Sequence, residues 1–385
     1  MRVTPSPDEV RDALETLAEK GVPARGKAWI TDAGTGEYLE WFEREILDGL
    51  IAAGGATCRF YEGAYGGGKT HLLDLLHCVA DRRGMAVVRT DLSQAIQLRD
   101  WKLVTQHILQ NVTLHRDGST VHGLPSILRL LGQLPSGDAD NRDARRMAHP
   151  GFATAMRTMM ELDLSEEARN RLMRYLCGER IGAGKLRAVG VHGVTDPLSE
   201  RNAEQVLTTV ANVLAECEVP GLMLLFDENE ATLAGGARGA THRDRLAANI
   251  MRRLVDSCAT ASLERVVAVF AILPGFLGRC ADAYSALGQR LEMPRLDGAR
   301  TPWRWPVLEV ERVSTINEPE AFAEGVLSRL MECASVLRIP GEGLRTELQG
   351  VAQEILASHA GSEYRRYMLK ALSEIVLAGD EVGNP

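Results

Sequence analysis

The sequence Gly63-Ala-Tyr-Gly-Gly-Gly-Lys-Thr70 decides the fold, because it matches the pattern G-x-x-x-x-G-K-[ST] at every defined position. A run typical of a strand, residues 57–62, precedes it, and an apolar pattern with helical spacing follows from Lys69 to residue 83. Glycines let the backbone turn so that successive N–H groups point into one concavity, at a helix N-terminus whose dipole favours phosphate. The stretch therefore predicts a phosphate-binding loop, a P-loop, between a strand and a helix.

A P-loop of this form predicts the binding of ATP with Mg²⁺. We expect Lys69 to supply a positive charge for the β- and γ-phosphates and to take part in catalysis, and the Thr70 hydroxyl to ligate Mg²⁺. The residues expected to contact the nucleotide here are Gly63, Ala64, Tyr65, Gly66, Gly67, Gly68, Lys69, Thr70 and His71. The alternative, a glycine-rich turn that binds nothing, is disfavoured by the complete motif in this context.

An acidic half of the site is predicted at the end of a second buried strand. Residues 222–226 are apolar, and Asp227 and Glu228 follow them. We expect Asp227 to hold Mg²⁺ through water and Glu228 to polarise the attacking water as general base. The alternative is that Asp227 only caps the following loop. No polar residue ends the later strand before Pro274, so a contact to the γ-phosphate from that strand is absent or comes from another residue.

The order of the elements predicts an α/β fold with a parallel sheet and helices on both faces. The strand before the P-loop, its helix and a second strand at residues 85–92 form a βαβ unit. Further strands are expected at residues 222–227, 265–273 and 307–313.

Three parts of the chain follow from this order. We expect an N-terminal helical segment at residues 1–55 that packs on the core, an ATPase core at residues 56–315 with a helical insert at about residues 100–219, and a helical C-terminal domain at residues 316–385. A length of 385 residues fits two domains or three small ones.

Composition narrows the function classes. The net charge of −8 gives no support for tight binding to nucleic acid or membrane by bulk electrostatics. The seven cysteines form no CxxC pair, and the nine histidines show no ligand spacing, so no zinc site is indicated and the thiols are expected to be free. The N-terminus lacks the pattern of a signal peptide, and no apolar run reaches the roughly 18 residues of a membrane span. We expect a cytoplasmic protein.

Several segments carry a family resemblance, one of which contains the P-loop; they are residues 13–23, 60–70, 89–93, 221–230, 252–256 and 284–291. In these segments the sequence resembles the ATP-binding BrxD family of BREX bacteriophage-exclusion systems, which belongs to the AAA+ superfamily. Asn229 departs from the pattern, since an aliphatic residue is expected there. The resemblance implies an AAA+-like P-loop NTPase core, a helical C-terminal lid domain and a role in defence against phage.

The resemblance also implies residues and partners beyond the P-loop. The segment Tyr364-Arg-Arg-Tyr-Met-Leu-Lys-Ala371 is similar to the lid segment that brings an arginine to the nucleotide, and Arg366 is the candidate. Arg290 is a second candidate, for the ATP of a neighbouring subunit in a homo-oligomer. A solvated lid arginine is the alternative for Arg366. The implied partners are a methyltransferase, an alkaline-phosphatase-like protein and a helicase.

Three functions remain open from the sequence. One is an ATP-driven defence component that acts on DNA or on a partner complex, the second is a slowly hydrolysing nucleotide switch that sets its protein partners, and the third is a small-molecule kinase. The insert carries basic residues that could contact DNA phosphates: Arg142, Arg145, Arg146, Arg157, Arg169, Arg171, Arg174, Lys185 and Arg187. Interleaved acids such as Glu161, Glu166 and Glu167 favour the alternative, a solvated helical surface.

Overall fold

The computed structural model describes residues 5–24, 26–92, 96–133, 147–192, 196–227, 242–291, 302–314, 318–341, 343–358 and 364–383. Within these ranges the chain is a mixed α/β protein that is mostly helical. Its strands are β1 (Thr57–Glu62), β2 (Ala86–Asp91), β3 (Thr113–Arg116), β4 (Ser119–His122), β5 (Leu222–Asp227), β6 (Val266–Ile272) and β7 (Val307–Glu309).

Helices make up most of the described regular structure. They are α1 (Pro7–Lys20), α2 (Gly36–Trp41), α3 (Lys69–Arg82), α4 (Trp101–Asn111), α5 (Leu124–Gly132), α6 (Pro150–Met159), α7 (Glu166–Leu176), α8 (Ala183–Arg187), α9 (Ala203–Glu216), α10 (His242–Ala259), α11 (Phe276–Ala283), α12 (Ser285–Leu291), α13 (Pro319–Val336), α14 (Leu344–Ser358) and α15 (Tyr364–Gly383). A π-helical segment, Phe42–Ile51, follows α2 directly. No described helix is both long and apolar enough to cross a membrane. The cytoplasmic location stays a prediction.

The chain divides into two compact units. The P-loop unit comprises Met1–Trp41, Glu62–Cys78 and Leu308–Pro385, and the sheet unit comprises Phe42–Tyr61 and Val79–Val307. The three parts expected from the sequence, at residues 1–55, 56–315 and 316–385, describe the chain in a different way and stay predictions.

The strands form one seven-stranded sheet in the order β4-β3-β2-β5-β6-β1-β7. β2 and β6 both pair with β5 in parallel, which confirms the predicted parallel pairing in the centre of the sheet. β5 and β6 are buried along their whole length, as expected of strands covered on both faces. Next to them, the ring of Phe226 stacks on that of Phe270 at 4.6 Å, and Phe270 stacks on Phe60 at 5.2 Å.

A hairpin in the insert departs from the helical pattern expected there. β3 and β4 pair with each other in antiparallel register, and β3 pairs with the edge of β2. Asp117 and Gly118 between them have φ of 51° and 76°, the left-handed values that a tight hairpin turn requires. The Asp-Gly pair is the local signal that the helical interpretation missed. β7 is also shorter than expected, since it ends at Glu309 and a 3₁₀ turn follows.

Helices from both ends of the chain build the core of the P-loop unit. A capping box between Ser6 and Glu9 starts α1, and Gly21 in the left-handed conformation ends it. The buried face of α1, with Leu14 and Leu17, shares one hydrophobic core with α13, α14 and α15. Sequence position alone would place these helices in separate domains.

Candidate nucleotide site

The P-loop occupies the turn between the end of β1 at Glu62 and the start of α3 at Lys69. Gly66 and Gly68 have φ of 73° and 90°, which only glycine adopts without strain. A Cβ atom on Gly67 would lie 3.0 Å from the carbonyl oxygen of Ala64, which already accepts the Gly67 N–H at 3.1 Å. The backbone path of the loop therefore explains why these positions are occupied by glycine.

Lys69 is folded back into the loop. Its Nζ donates to the carbonyl oxygens of Gly63 at 2.9 Å and of Ala64 at 3.0 Å, and the residue is only 9% exposed. The same Nζ lies 5.4 Å from the ring centroid of Tyr65, which is 72% exposed. The ammonium is thus positioned at the mouth of the loop, where oxygens of a phosphate can replace the carbonyl oxygens as acceptors.

His71 lies on α3 within reach of charges from other segments of the P-loop unit. Burial lowers the pKa of the His71 imidazole, the negative charge of Asp32 opposes that change, and the positive charge of Arg365 adds to it. Asp32 is 9% exposed and accepts from the N–H and the hydroxyl of Thr35. Its backbone oxygen accepts from Nε of Arg329 at 2.9 Å. Asp32 and Arg365 were not predicted from the sequence.

The two neighbouring arginines at the start of α15 have different surroundings. The guanidinium of Arg365 lies over the ring of Phe322 at 5.1 Å, and its positive charge contributes to the lowering of the pKa of His71. Arg366 instead donates from Nε to the carbonyl oxygen of Lys20 at 2.9 Å, at the C-terminal end of α1. Its contact with the nucleotide stays a prediction. The pair Arg-Arg in the sequence was the available signal for Arg365.

Asp227 ends β5 in the sheet unit, as predicted, and forms an ion pair with Arg89 of β2. Arg89 Nη2 lies 2.7 Å from Asp227 Oδ2, and the two side chains are 8% and 6% exposed. Arg89 Nε also lies 3.5 Å from Oδ1 of Asp91, whose side chain is 47% exposed. Asp91 and Asp227 face each other across the parallel register of β2 and β5. Carboxylates therefore cluster at the carboxyl ends of these strands around one guanidinium.

The remaining predicted positions lie elsewhere or outside the described residues. Glu228 and Asn229 belong to residues 228–241, which the structure does not describe. Arg290 of α12 pairs with Asp256 at 3.0 Å. Pro274 follows β6 after Leu273 and lies in a turn, so the end of this strand is apolar as the sequence indicates.

Of the six predicted basic residues of the insert that the structure describes, three pair with acids. Arg157 pairs with Glu216 at 2.6 Å, and Arg174 pairs with Glu179 at 2.7 Å. Arg171 pairs with Glu167. Arg169 donates to the backbone oxygens of Leu162 and Leu164. Lys185 and Arg187 lie on α8, and Arg142, Arg145 and Arg146 lie outside the described residues. These pairs support the solvated-surface interpretation for this part of the insert.

Oxygen donors are present for the expected Mg²⁺. Asp227 offers a carboxylate that already carries a cationic partner, and Thr70 offers a hydroxyl that is exposed on the first turn of α3. The described residues contain no group of three or more His, Cys, Asp or Glu that could hold a metal ion. Each of these oxygens, taken by itself, is of a kind that Mg²⁺ binds, since this ion usually takes one or two carboxylates and completes its shell with water and substrate phosphates.

A family model covers the segments that carry these residues. Residues 6–130 and 142–317 match the model described as BREX system ATP-binding protein BrxC/D. The chain belongs to this family. BrxC/D proteins are ATP-binding, and the matched segments hold both the P-loop and Asp227, whereas α13–α15 with Arg365 and Arg366 lie beyond the match. Neither a curated protein nor a solved structure matches the chain.

Proposed function

We propose that this chain hydrolyses ATP as an AAA+ component of a BREX-type defence system and acts on DNA or on a partner complex. The observation that carries the proposal is the complete P-loop between β1 and α3, with Lys69 held at its mouth. Membership of an ATP-binding family supports it. So does the sheet, because ligands of open α/β sheets bind at the carboxyl ends of the strands, where β1 leads into the P-loop and β5 carries Asp227.

Each residue has a defined task in this proposal. The loop N–H groups and Lys69 bind and orient the phosphates. Thr70 would provide a hydroxyl ligand for Mg²⁺ and Asp227 would hold the ion through water; when bound, Mg²⁺ would neutralise charge that develops on the phosphate oxygens. Glu228 takes the proton of the attacking water. Lys69 lowers the barrier further because its charge faces the same developing negative charge.

The helices α13–α15 serve as the lid in this proposal. Our candidate for the arginine that contacts the nucleotide from α15 is Arg365, since its positive charge is near enough to His71, two residues after Lys69, to lower the pKa of that imidazole. Arg366 remains the alternative from the sequence. The defence partners implied by the family resemblance, a methyltransferase, an alkaline-phosphatase-like protein and a helicase, are the candidates for the partner complex.

The test is ATP hydrolysis by the purified wild type and by Glu228→Gln, each with and without double-stranded DNA. We expect turnover that DNA stimulates several-fold in the wild type, and a variant that still binds ATP but does not turn it over. Wild-type turnover by the variant would exclude Glu228 as the base. An absence of hydrolysis by the wild type under all these conditions would contradict the ATPase proposal.

A nucleotide switch is the second candidate, and the apolar end of β6 favours it. No polar side chain follows Ile272 before the turn at Pro274, so this strand offers no contact that would speed γ-phosphate release. In that case hydrolysis is slow and indifferent to DNA, and the lid conformation set by ATP controls protein partners.

A further inference from the structure

Arg89 and Asp227 form an ion pair that is almost completely removed from solvent. Their charged groups are 2.7 Å apart, and each side chain is less than a tenth exposed. A carboxylate in such a place needs a positive partner, because burying an unpaired charge is strongly unfavourable. In the structure that partner is Arg89.

Arg89 has a second carboxylate within reach. Its Nε lies 3.5 Å from Oδ1 of Asp91, while its Nη2 donates to Oδ2 of Asp227. Asp91 belongs to the same strand as Arg89, is 47% exposed, and faces Asp227 in the register of β2 and β5. The planar guanidinium carries five N–H donors, so it can pair with one carboxylate or with both.

We propose that Arg89 is a positioning residue that holds the carboxylate of Asp227 until a divalent metal ion takes it, and then pairs with Asp91 instead. The proposal deepens the proposed function, since it rests on Asp227 as the carboxylate that holds Mg²⁺.

The charges of the groups favour such an exchange. Arginine stays protonated at all relevant pH values, so Arg89 cannot lose its charge when the metal arrives. Mg²⁺ at the Asp227 carboxylate would repel a guanidinium left 2.7 Å away, and the repulsion is strong where water is excluded. Asp91 provides a neighbouring acceptor that is still partly hydrated. Metal binding therefore includes the transfer of Arg89 from one aspartate to the other, and Asp91 lowers the free energy of that transfer.

The experiment measures the melting temperature of the full chain while Mg²⁺ is titrated at a fixed concentration of a non-hydrolysable ATP analogue. The first readout is the Mg²⁺ midpoint, which is the Mg²⁺ concentration that gives half of the metal-induced rise in melting temperature. The second is the melting temperature without metal. The variants are Asp91→Asn, Arg89→Gln, the double variant and Asp227→Asn as the control for the metal ligand.

We expect Asp91→Asn to keep the metal-free melting temperature and to raise the Mg²⁺ midpoint about fivefold, the lower end of typical coupling between sites. Arg89→Gln should lower the metal-free melting temperature, because Asp227 loses its cation, and it should lower the Mg²⁺ midpoint. In the double variant the effect of Asp91→Asn on the Mg²⁺ midpoint should disappear, because no guanidinium remains that could move from Asp227 to residue 91.

The double variant separates the exchange from simple attraction between Asp91 and the metal. If Asp91→Asn raises the midpoint equally with and without Arg89, Asp91 acts on the metal directly and the exchange is excluded. The exchange is overturned if the Mg²⁺ midpoint is unchanged in both Asp91→Asn and Arg89→Gln. If Asp227→Asn then abolishes the metal-induced rise in melting temperature, the metal role of Asp227 is kept. The metal role of Asp227, and the exchange with it, are overturned in two cases. Either Asp227→Asn keeps the metal-induced rise in melting temperature of the wild type, or the wild type itself shows no such rise.

Discussion

The Nζ atom of Lys69 lies 2.9 Å from the carbonyl oxygen of Gly63, so the charge expected to bind phosphate is held by the loop itself. Phosphate oxygens must replace two carbonyl acceptors, and they do so favourably because they carry negative charge, whereas the carbonyl oxygens are neutral. The arrangement keeps the lysine in place before the ligand arrives.

Lys69→Ala should abolish tight ATP binding. Loss of a charged hydrogen-bond donor costs about 2–3 kcal/mol, which corresponds to a weakening on the order of 100-fold. A fluorescent ATP analogue titrated into both proteins measures the change. Lys185→Ala, an exposed lysine on α8, is the matched control and should bind like the wild type. Unchanged affinity in Lys69→Ala would refute the P-loop assignment.

Arg365→Ala and Arg366→Ala should have different effects, which distinguishes the roles of these two arginines of α15. Removing Arg365 takes away a positive charge that acts on His71, so the pKa of His71 rises and ATP binding weakens by about tenfold. Removing Arg366 breaks its hydrogen bond to Lys20 and should lower the melting temperature slightly with little effect on ATP. Titration of His71 by NMR and ATP affinity are the two measurements. The reverse pattern would identify Arg366 as the nucleotide contact.

The stability of the protein should fall as the pH drops below about 6.5, the ordinary pKa of histidine. Burial lowers the pKa of His149, whose Nδ1 accepts from the Phe152 N–H at 3.1 Å at the start of α6. Between the lowered pKa and about 6.5, the unfolded chain binds a proton that the folded chain does not, so stability decreases as the pH falls through this window. Above the window both states are neutral at this residue, and the effect is absent.

His149→Asn tests the origin of that pH dependence. Asparagine can still accept a hydrogen bond at the N-cap but does not titrate. We expect urea unfolding midpoints at pH 7.5 and pH 5.5 to lie closer together in the variant than in the wild type. Part of the difference should remain, because burial also lowers the pKa values of His71 and His107. An equal difference in both proteins would contradict the assignment to His149.

Gly132→Ala should destabilise the protein by about 2–3 kcal/mol, as overpacking in a rigid place does. A Cβ atom at Gly132 would lie 2.2 Å from the carbonyl oxygen of Met160, which is backbone and cannot rotate away. Gly184→Ala is the control, because nothing lies within 4 Å of its Cβ position on α8 and alanine favours a helix. Chemical unfolding of the two variants should give changes of opposite sign. A neutral Gly132→Ala would show that α5 can shift away from Met160.

Local chemistry explains which elements were predictable. β1, β5 and α3 were predicted correctly because an apolar run or an apolar stripe is a property of consecutive residues. The hairpin of β3 and β4 was missed because its strands are short and mostly polar, and only Asp117-Gly118 marks it. The grouping of α1 with α13–α15 depends on which apolar faces meet, and many pairings of such faces satisfy the same sequence pattern.

The sequence by itself predicted the P-loop, since eight consecutive residues contain the glycines, the lysine and the threonine that phosphate binding needs. It also placed Asp227 at the end of a buried strand. The tertiary structure alone paired Asp227 with Arg89, 138 positions earlier in the chain, and brought the charges of Asp32 and Arg365 to His71. Electrostatic energy depends on distance in space and on exclusion of water, and neither quantity is encoded by separation along the chain.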